Sequence, residues 1–253
     1  MRWSERQRAM LQVMGVRLFG AVPAPVLAPA PEVVARTPTA VASARVASAP
    51  PTPSAPPALR PEIALLDWPA LRAAVADCRA CSLCESRQQT VFGSGHPRAH
   101  WMIVGEAPDE HEDAQGEPFV GEPGKLLDNM LRALALSRQA GPPERQVFIA
   151  NTLKCRPPKN RNPVAAETAQ CAPFLERQIA LVQPRIILAM GRFAAQALLA
   201  SDEPLGKLRG RVHQYRGVPV VVTYPPSYLL RTQTDKARAW EDLCLAARVV
   251  VGE

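Results

Sequence analysis

Four short apolar runs, residues 100–104, 146–151, 185–190 and 218–223, recur along the chain with helical patterns between and after them. Their interiors (Met-Ile-Val, Phe-Ile-Ala, Ile-Leu-Ala, Val-Val-Val) lack polar alternation, the pattern of strands covered on both faces. The segments 125–136, 164–182, 192–200 and 235–251 repeat apolar residues at helical spacing. Strands alternating with helices predict an α/β domain: a three-layer α/β/α sandwich around a four-stranded parallel sheet with right-handed crossovers. The loops that follow the strands then share one sheet edge, where such folds bind ligands.

Those loops are residues 104–121, 152–163, the Gly191 turn and 224–234. The first carries carboxylates, among them Glu106, Asp109, Glu112 and Asp113, and one aromatic residue, Phe119. The chain as a whole is basic, with a formal net charge of +7 over 253 residues, which favours a polyanionic partner without proving one. Carboxylates gathered at a strand end of a basic chain mark that loop as a candidate site.

Outside the folded body the composition changes. Residues 1–20 place Met10, Leu11, Met14 and Leu18 near helical spacing behind Ser4, predicting a short amphipathic helix that packs on the body or binds a protein partner. Residues 21–61 hold eleven of the 27 prolines among Ala, Ser, Thr and Val, with no aromatic residue, the composition of a disordered linker. Residues 62–253 form the predicted domain. No apolar run approaches a membrane span and the amino terminus lacks a signal-type core, so a cytoplasmic protein acting as a monomer is expected.

In a reducing compartment six cysteines are free, metal-bound or catalytic more often than paired. Cys78, Cys81 and Cys84 stand as C-x2-C-x2-C, Cys155 follows the second strand, and Cys171 lies on the next helix; Cys244, in an apolar stretch, reads as core. Two cysteines on a tight turn and a distant second pair can complete four thiolates, for tetrahedral zinc or a four-iron cluster. Spacing does not choose between them, nor say whether Cys84 is a ligand. Gly121-Glu122-Pro123-Gly124-Lys125 is a poor phosphate-binding loop, because Leu126 stands where Ser or Thr would reach magnesium. Gly93-Ser94-Gly95 reads as a turn.

Taken in order, C-x2-C, V-F-G-S-G, V-G-E-A-P, E-D-A-Q-G-E-P-F-V-G, N-T-L-K-C-R-P-P-K-N-R-N-P and P-S-Y-L-L-R resemble the family-four uracil-DNA glycosylases, the iron–sulfur branch of that superfamily. The resemblance runs from about residue 77 to the end. It implies uracil-containing DNA as the partner and hydrolysis of the N-glycosidic bond, and a [4Fe-4S] cluster on Cys78, Cys81, Cys155 and Cys171, with Cys84 outside the ligand set. It also implies a base pocket of Gly105, Glu106, Ala107, Phe119 and Asn151. There Phe119 would stack on uracil, Asn151 would pair with its edge, and Glu106 would help place the attacking water. Glu112 and Asp113 are either contributors or solvated and capping residues. The last loop would enter the minor groove with Leu229 or Leu230 as a wedge, beside Ser227. Arg231, Arg209, Arg211 and Lys207 would hold phosphates.

The chain departs from the family pattern at two places. Pro225 stands where the family has a His that donates to the leaving base, and proline has neither a side-chain donor nor an N–H. Losing one such donor costs about 10²–10³ in rate. Asp109 replaces a glycine and adds charge close to the pocket. Three readings follow: a glycosylase with Tyr224, Ser227 or His213 as replacement donor, a DNA-binding relative weak in catalysis, or a cluster-bearing scaffold.

Overall fold

The computed structural model describes residues 61–252; the expected terminal helix and nearly all of the proline-rich segment lie outside them. Six strands form one sheet: β1 (Ser94–Gly95), β2 (Trp101–Gly105), β3 (Val147–Asn151), β4 (Ile186–Met190), β5 (Val212–Tyr215) and β6 (Val218–Thr223). They lie in the order β1-β3-β2-β4-β6-β5. The inner four are the expected strands and are parallel to one another. Every residue of β2, β3 and β4 is buried, as a sheet covered on both faces requires.

The expected count of four strands is corrected by two edge strands, β1 antiparallel to β3 and β5 antiparallel to β6. Both hide in the sequence for physical reasons. β1 is two residues long inside the Gly93-Ser94-Gly95 stretch, where a side chain on Gly95 would run into the Val147 carbonyl. β5 is a half-exposed edge whose side chains alternate, so it has no apolar run.

The helices are α1 (Trp68–Ala76), α2 (Leu83–Ser86), α3 (Glu110–Gln115), α4 (Gly121–Ala133), α5 (Ala165–Val182), α6 (Arg192–Leu199), α7 (Leu205–Leu208), α8 (Pro226–Arg231) and α9 (Lys236–Val251). Side chains alternate across the sheet. Trp101 and Ile103 of β2 pack with Leu127, Met130, Leu229, Trp240 and Leu243 under α4, α8 and α9. Met102 and Val104 pack with Leu71, Val75, Phe174, Ile179 and Ala195 under α1, α5 and α6. These are the three expected layers.

Local chemistry sets several boundaries. Asp67 caps α1 by accepting from the Ala70 amide at 2.9 Å, so the helix starts there and residues 61–65 form a separate 3-10 turn. Pro226 opens α8 at its first position, where its missing N–H costs nothing, and turns half of the expected 224–234 loop into helix. From β2 the chain crosses to β3 on one side, then back over β2 to β4 on the other. That reversal opens a crevice at the carboxyl ends of these strands.

Candidate active site and cysteine centre

A pocket of about 120 Å³ occupies this crevice, lined by Glu106 and Ala107 after β2, Asn151 at the end of β3, Met190 at the end of β4, and Pro225 and Ser227 after β6. Asp109, Glu112, Phe119 and Pro123 complete the wall. The structure therefore brings the expected Glu106, Ala107, Phe119 and Asn151 together, with Gly105 directly behind them. Gly105 pairs in register with Asn151, and a side-chain carbon there would sit 2.7 Å from Phe119 Cζ. Only glycine leaves room for both.

Glu112 organises this wall. It is 7% exposed, so the solvated reading of it is corrected. Its Oε1 accepts from the Phe119 amide at 2.7 Å, and its Oε2 accepts from Asn151 Nδ2 at 2.9 Å. Burial pushes its carboxyl up to about 7, partly opposed by these two bonds. Phe119 sits at φ +53°, an uncommon conformation for an aromatic residue. It is held there by Glu112 on its amide and by Arg138, whose Nη2 donates to its carbonyl at 3.0 Å. Asp113 is also buried and accepts from the Gln88 amide at 3.0 Å, a structural role. Asp109 caps α3 through the amides of His111 and Glu112 at 2.8 and 2.9 Å, which explains a carboxylate at this pocket edge.

Glu106 faces the start of α6. Its Oε1 accepts from the Phe193 amide at 2.9 Å, and a side chain on Gly191 would come within 2.5 Å of the same oxygen. Burial pushes its carboxyl upward, opposed by the amides of Phe193 and Arg192 and by the Arg192 charge. A partly desolvated carboxylate on a pocket wall can accept from a water molecule.

Pro225 lines the opposite wall of the pocket and brings no side-chain donor to it. His213 lies on β5 with Nε2 at 2.7 Å from the Leu208 carbonyl. The Tyr224 ring stacks on Tyr228 at 5.0 Å between centroids and interacts with Arg238. Ser227 is exposed and lines the pocket. Of the expected wedge residues, Leu229 is fully buried in the core and Leu230 is exposed. Arg231 and Lys207 are exposed, and Arg211 pairs with Glu203 at the surface at 2.9 Å. Arg209 is turned inward, to the buried Asp242 at 2.9 Å and over the Tyr224 ring.

Cys78, Cys81, Cys155 and Cys171 line one cavity between α1, α2, the loop after β3 and α5. Cys84 lies on the same wall. Arg87 Nη1 donates to Cys155 Sγ at 3.0 Å and the Lys154 amide donates to Cys171 Sγ at 3.2 Å. Among the described residues no three His, Cys, Asp or Glu side chains converge as a single metal ion would need. Burial pushes the Cys171 thiol up to about 12, so a bare thiolate is disfavoured there. Cys244 packs against the opposite core, as expected.

The description "Uracil DNA glycosylase superfamily" matches residues 92–244, the span that holds the whole pocket. The type-4 uracil-DNA glycosylase of Sulfurisphaera tokodaii is 41% identical over 165 residues, covering 62% of this chain and 72% of that protein. That of Pyrobaculum aerophilum is 38% identical over 188 residues, covering 71% and 93%. The chain belongs to the uracil DNA glycosylase superfamily, in its type-4 branch. A type-5 relative from Pyrobaculum aerophilum is more distant, at 34% identity over 148 residues.

Within this type-4 member, sequence reasoning missed two residues that shape the pocket. Glu112 is ambiguous in sequence between a pocket role and a solvated one, and its place six residues after Glu106 is the available signal. Arg138 lies outside every motif; only the folded chain shows it gripping the carbonyls of Pro118, Phe119 and Gly124.

Proposed function

We propose that the protein removes uracil from DNA, hydrolysing the N-glycosidic bond to leave free uracil and an abasic site. The observation that carries this reading is the Asn151–Glu112 hydrogen bond in a pocket walled by Phe119. The ionised carboxylate only accepts, so the amide edge toward Glu112 is Nδ2. With one Nδ2 proton given to Glu112, the second can reach uracil O4 while Oδ1 accepts from N3–H. Cytosine presents the reverse pattern, an amino donor beside an N3 acceptor, and is rejected. Phe119 would stack on the extruded base.

Hydrolysis forms a bond from a water oxygen to C1′ and breaks the C1′–N1 bond, whose electron pair leaves with the base. Glu106 holds that water and takes up its proton, while the carboxylates around the pocket favour positive charge developing on the sugar. The leaving base needs a donor opposite Glu106. Pro225 supplies none, and of Tyr224, His213 and Ser227 it is Ser227 that lines the pocket. Ser227 takes that role. Leu230, Arg231 and Arg211 are exposed for the duplex, Leu230 as the wedge and the arginines for phosphates.

Cys78, Cys81, Cys155 and Cys171 hold a [4Fe-4S] cluster, which supplies four bonds tying the α1–α2 turn to the loop after β3 and to α5. Four cysteines that line one cavity without any three converging as one tetrahedral ion requires suit a polynuclear centre better. Pro225 also favours a second reading, a protein that binds uracil-containing DNA and excises slowly. Measured release of free uracil from an oligonucleotide, for wild type and Asn151→Ala, tests the first reading; tight binding without release supports the second.

A further inference from the structure

Among the described residues Lys154 carries a buried ammonium. The residue is 1% exposed, deep between the cysteine cavity and the base pocket. Its Nζ donates to two neutral acceptors, the Asn151 carbonyl at 2.8 Å and Gln178 Oε1 at 2.7 Å. Gln178 is fully buried too, and its Nε2 donates to the Phe92 carbonyl at 2.8 Å, which aims Oε1 at the lysine. A buried cation with only neutral partners is costly and calls for an anion nearby. Lys154 lines the same cavity as Cys155 and Cys171, and among the described residues no carboxylate accepts from its ammonium.

We infer that Lys154 is the counter-cation of the cysteine site and a positioning residue that ties that site to the base pocket. The inference rests on the proposed cluster and not on uracil excision. Four thiolates around an iron–sulfur core carry net negative charge, and one fixed ammonium on a residue of the cavity wall offsets part of it. The same ammonium grips the main chain of Asn151, whose side chain reads the base in the proposed reaction. Lys154 also reaches the site through its own backbone, since its amide donates to Cys171 Sγ. Filling the cysteine cavity thereby fixes the lysine, and the lysine fixes the end of β3. Its burial keeps Lys154 away from phosphate.

The test uses the full chain purified without oxygen, as wild type, Lys154→Met, Lys154→Arg and Gln178→Glu, with circular dichroism to confirm folding. Iron and acid-labile sulfide are counted per chain, and the bleaching of the brown absorbance by EDTA is timed. Lys154→Met is expected to bleach roughly 10-fold faster or more, the usual effect of losing an outer-shell partner. Lys154→Arg keeps the charge and should stay near wild type. Gln178→Glu gives the ammonium a carboxylate of its own and should also bleach faster. A folded Lys154→Met that bleaches at the wild-type rate overturns the inference. If Lys154→Met does not fold, Gln178→Glu decides it, and an unchanged rate there overturns it equally. Iron-free wild type would overturn it together with the cluster. Bleaching is read without DNA, so failure to release uracil would count against the proposed reaction and not against Lys154.

Discussion

Asn151 Nδ2 lies 2.9 Å from Glu112 Oε2, and the other oxygen of the same carboxylate accepts the Phe119 amide. One buried side chain thus orients both groups proposed to recognise the base. Its two bonds both require an acceptor, and its raised carboxyl makes that ability depend on pH.

Glu112 gives two opposite pH trends. Its carboxyl rises from 4.5 to about 7 on folding, so the native protein binds this proton more tightly than the unfolded chain. The stability it contributes is complete below about pH 4.5 and is lost as pH rises through 7. Relative to Glu112→Gln, wild type should lose at most roughly 3 kcal/mol between pH 5 and 8, measured by denaturant unfolding at each pH. Uracil excision should move the other way, rising through pH 7 as the ionised carboxylate locks the Asn151 amide. At pH 8 Glu112→Gln should lower kcat/KM about 10- to 100-fold, because its amide can accept from only one of the two donors. Parallel pH profiles for the two proteins, in stability and in rate, would refute this role.

The inner sheet was legible because buried parallel strands such as β4 must be apolar throughout, and Ile186–Met190 can be little else. β5 was not, since Val212–Tyr215 alternates at an exposed edge and has no apolar run to set it apart from a loop. At the site, Asn151 and Phe119 stood in motifs. The inward turn of Arg209 could not be read, because a surface arginine and one paired with a buried Asp242 look alike in sequence. Leu229 and Leu230 were equally inseparable until α8 set their faces one residue apart, one to the core and one outward.

That split makes the two leucines a sharp comparison. Leu229→Ala removes a fully buried side chain and should cost about 2–5 kcal/mol of stability. Leu230→Ala should cost less than about 0.5 kcal/mol. It should nevertheless slow excision from duplex DNA about tenfold while leaving single-stranded substrate unaffected, since only the duplex needs a wedge. Equal losses on both substrates would remove Leu230 from the wedge role.

Pro225→His restores a donor opposite Glu106 and should raise the single-turnover excision rate about tenfold or more. In the wild-type background, Ser227→Ala should lower it by a similar factor. If the histidine leaves the rate unchanged and Ser227→Ala is silent, the leaving base is served by some other group.

The purified protein should be brown and carry about four iron per chain. Removing that iron with a chelator should lower the unfolding temperature, because the bonds joining Cys78 and Cys81 to Cys155 and Cys171 are lost. Colourless protein with one zinc per chain would replace the cluster by a tetrahedral ion.

The central claim is tested most directly by mixing enzyme in excess with a uracil-containing oligonucleotide and measuring free uracil over time. Wild type should release uracil stoichiometrically, release nothing from a cytosine control, and lose at least about 100-fold in rate as Asn151→Ala. Wild-type protein that binds the oligonucleotide yet releases no uracil, or an Asn151→Ala variant as fast as wild type, would contradict the account.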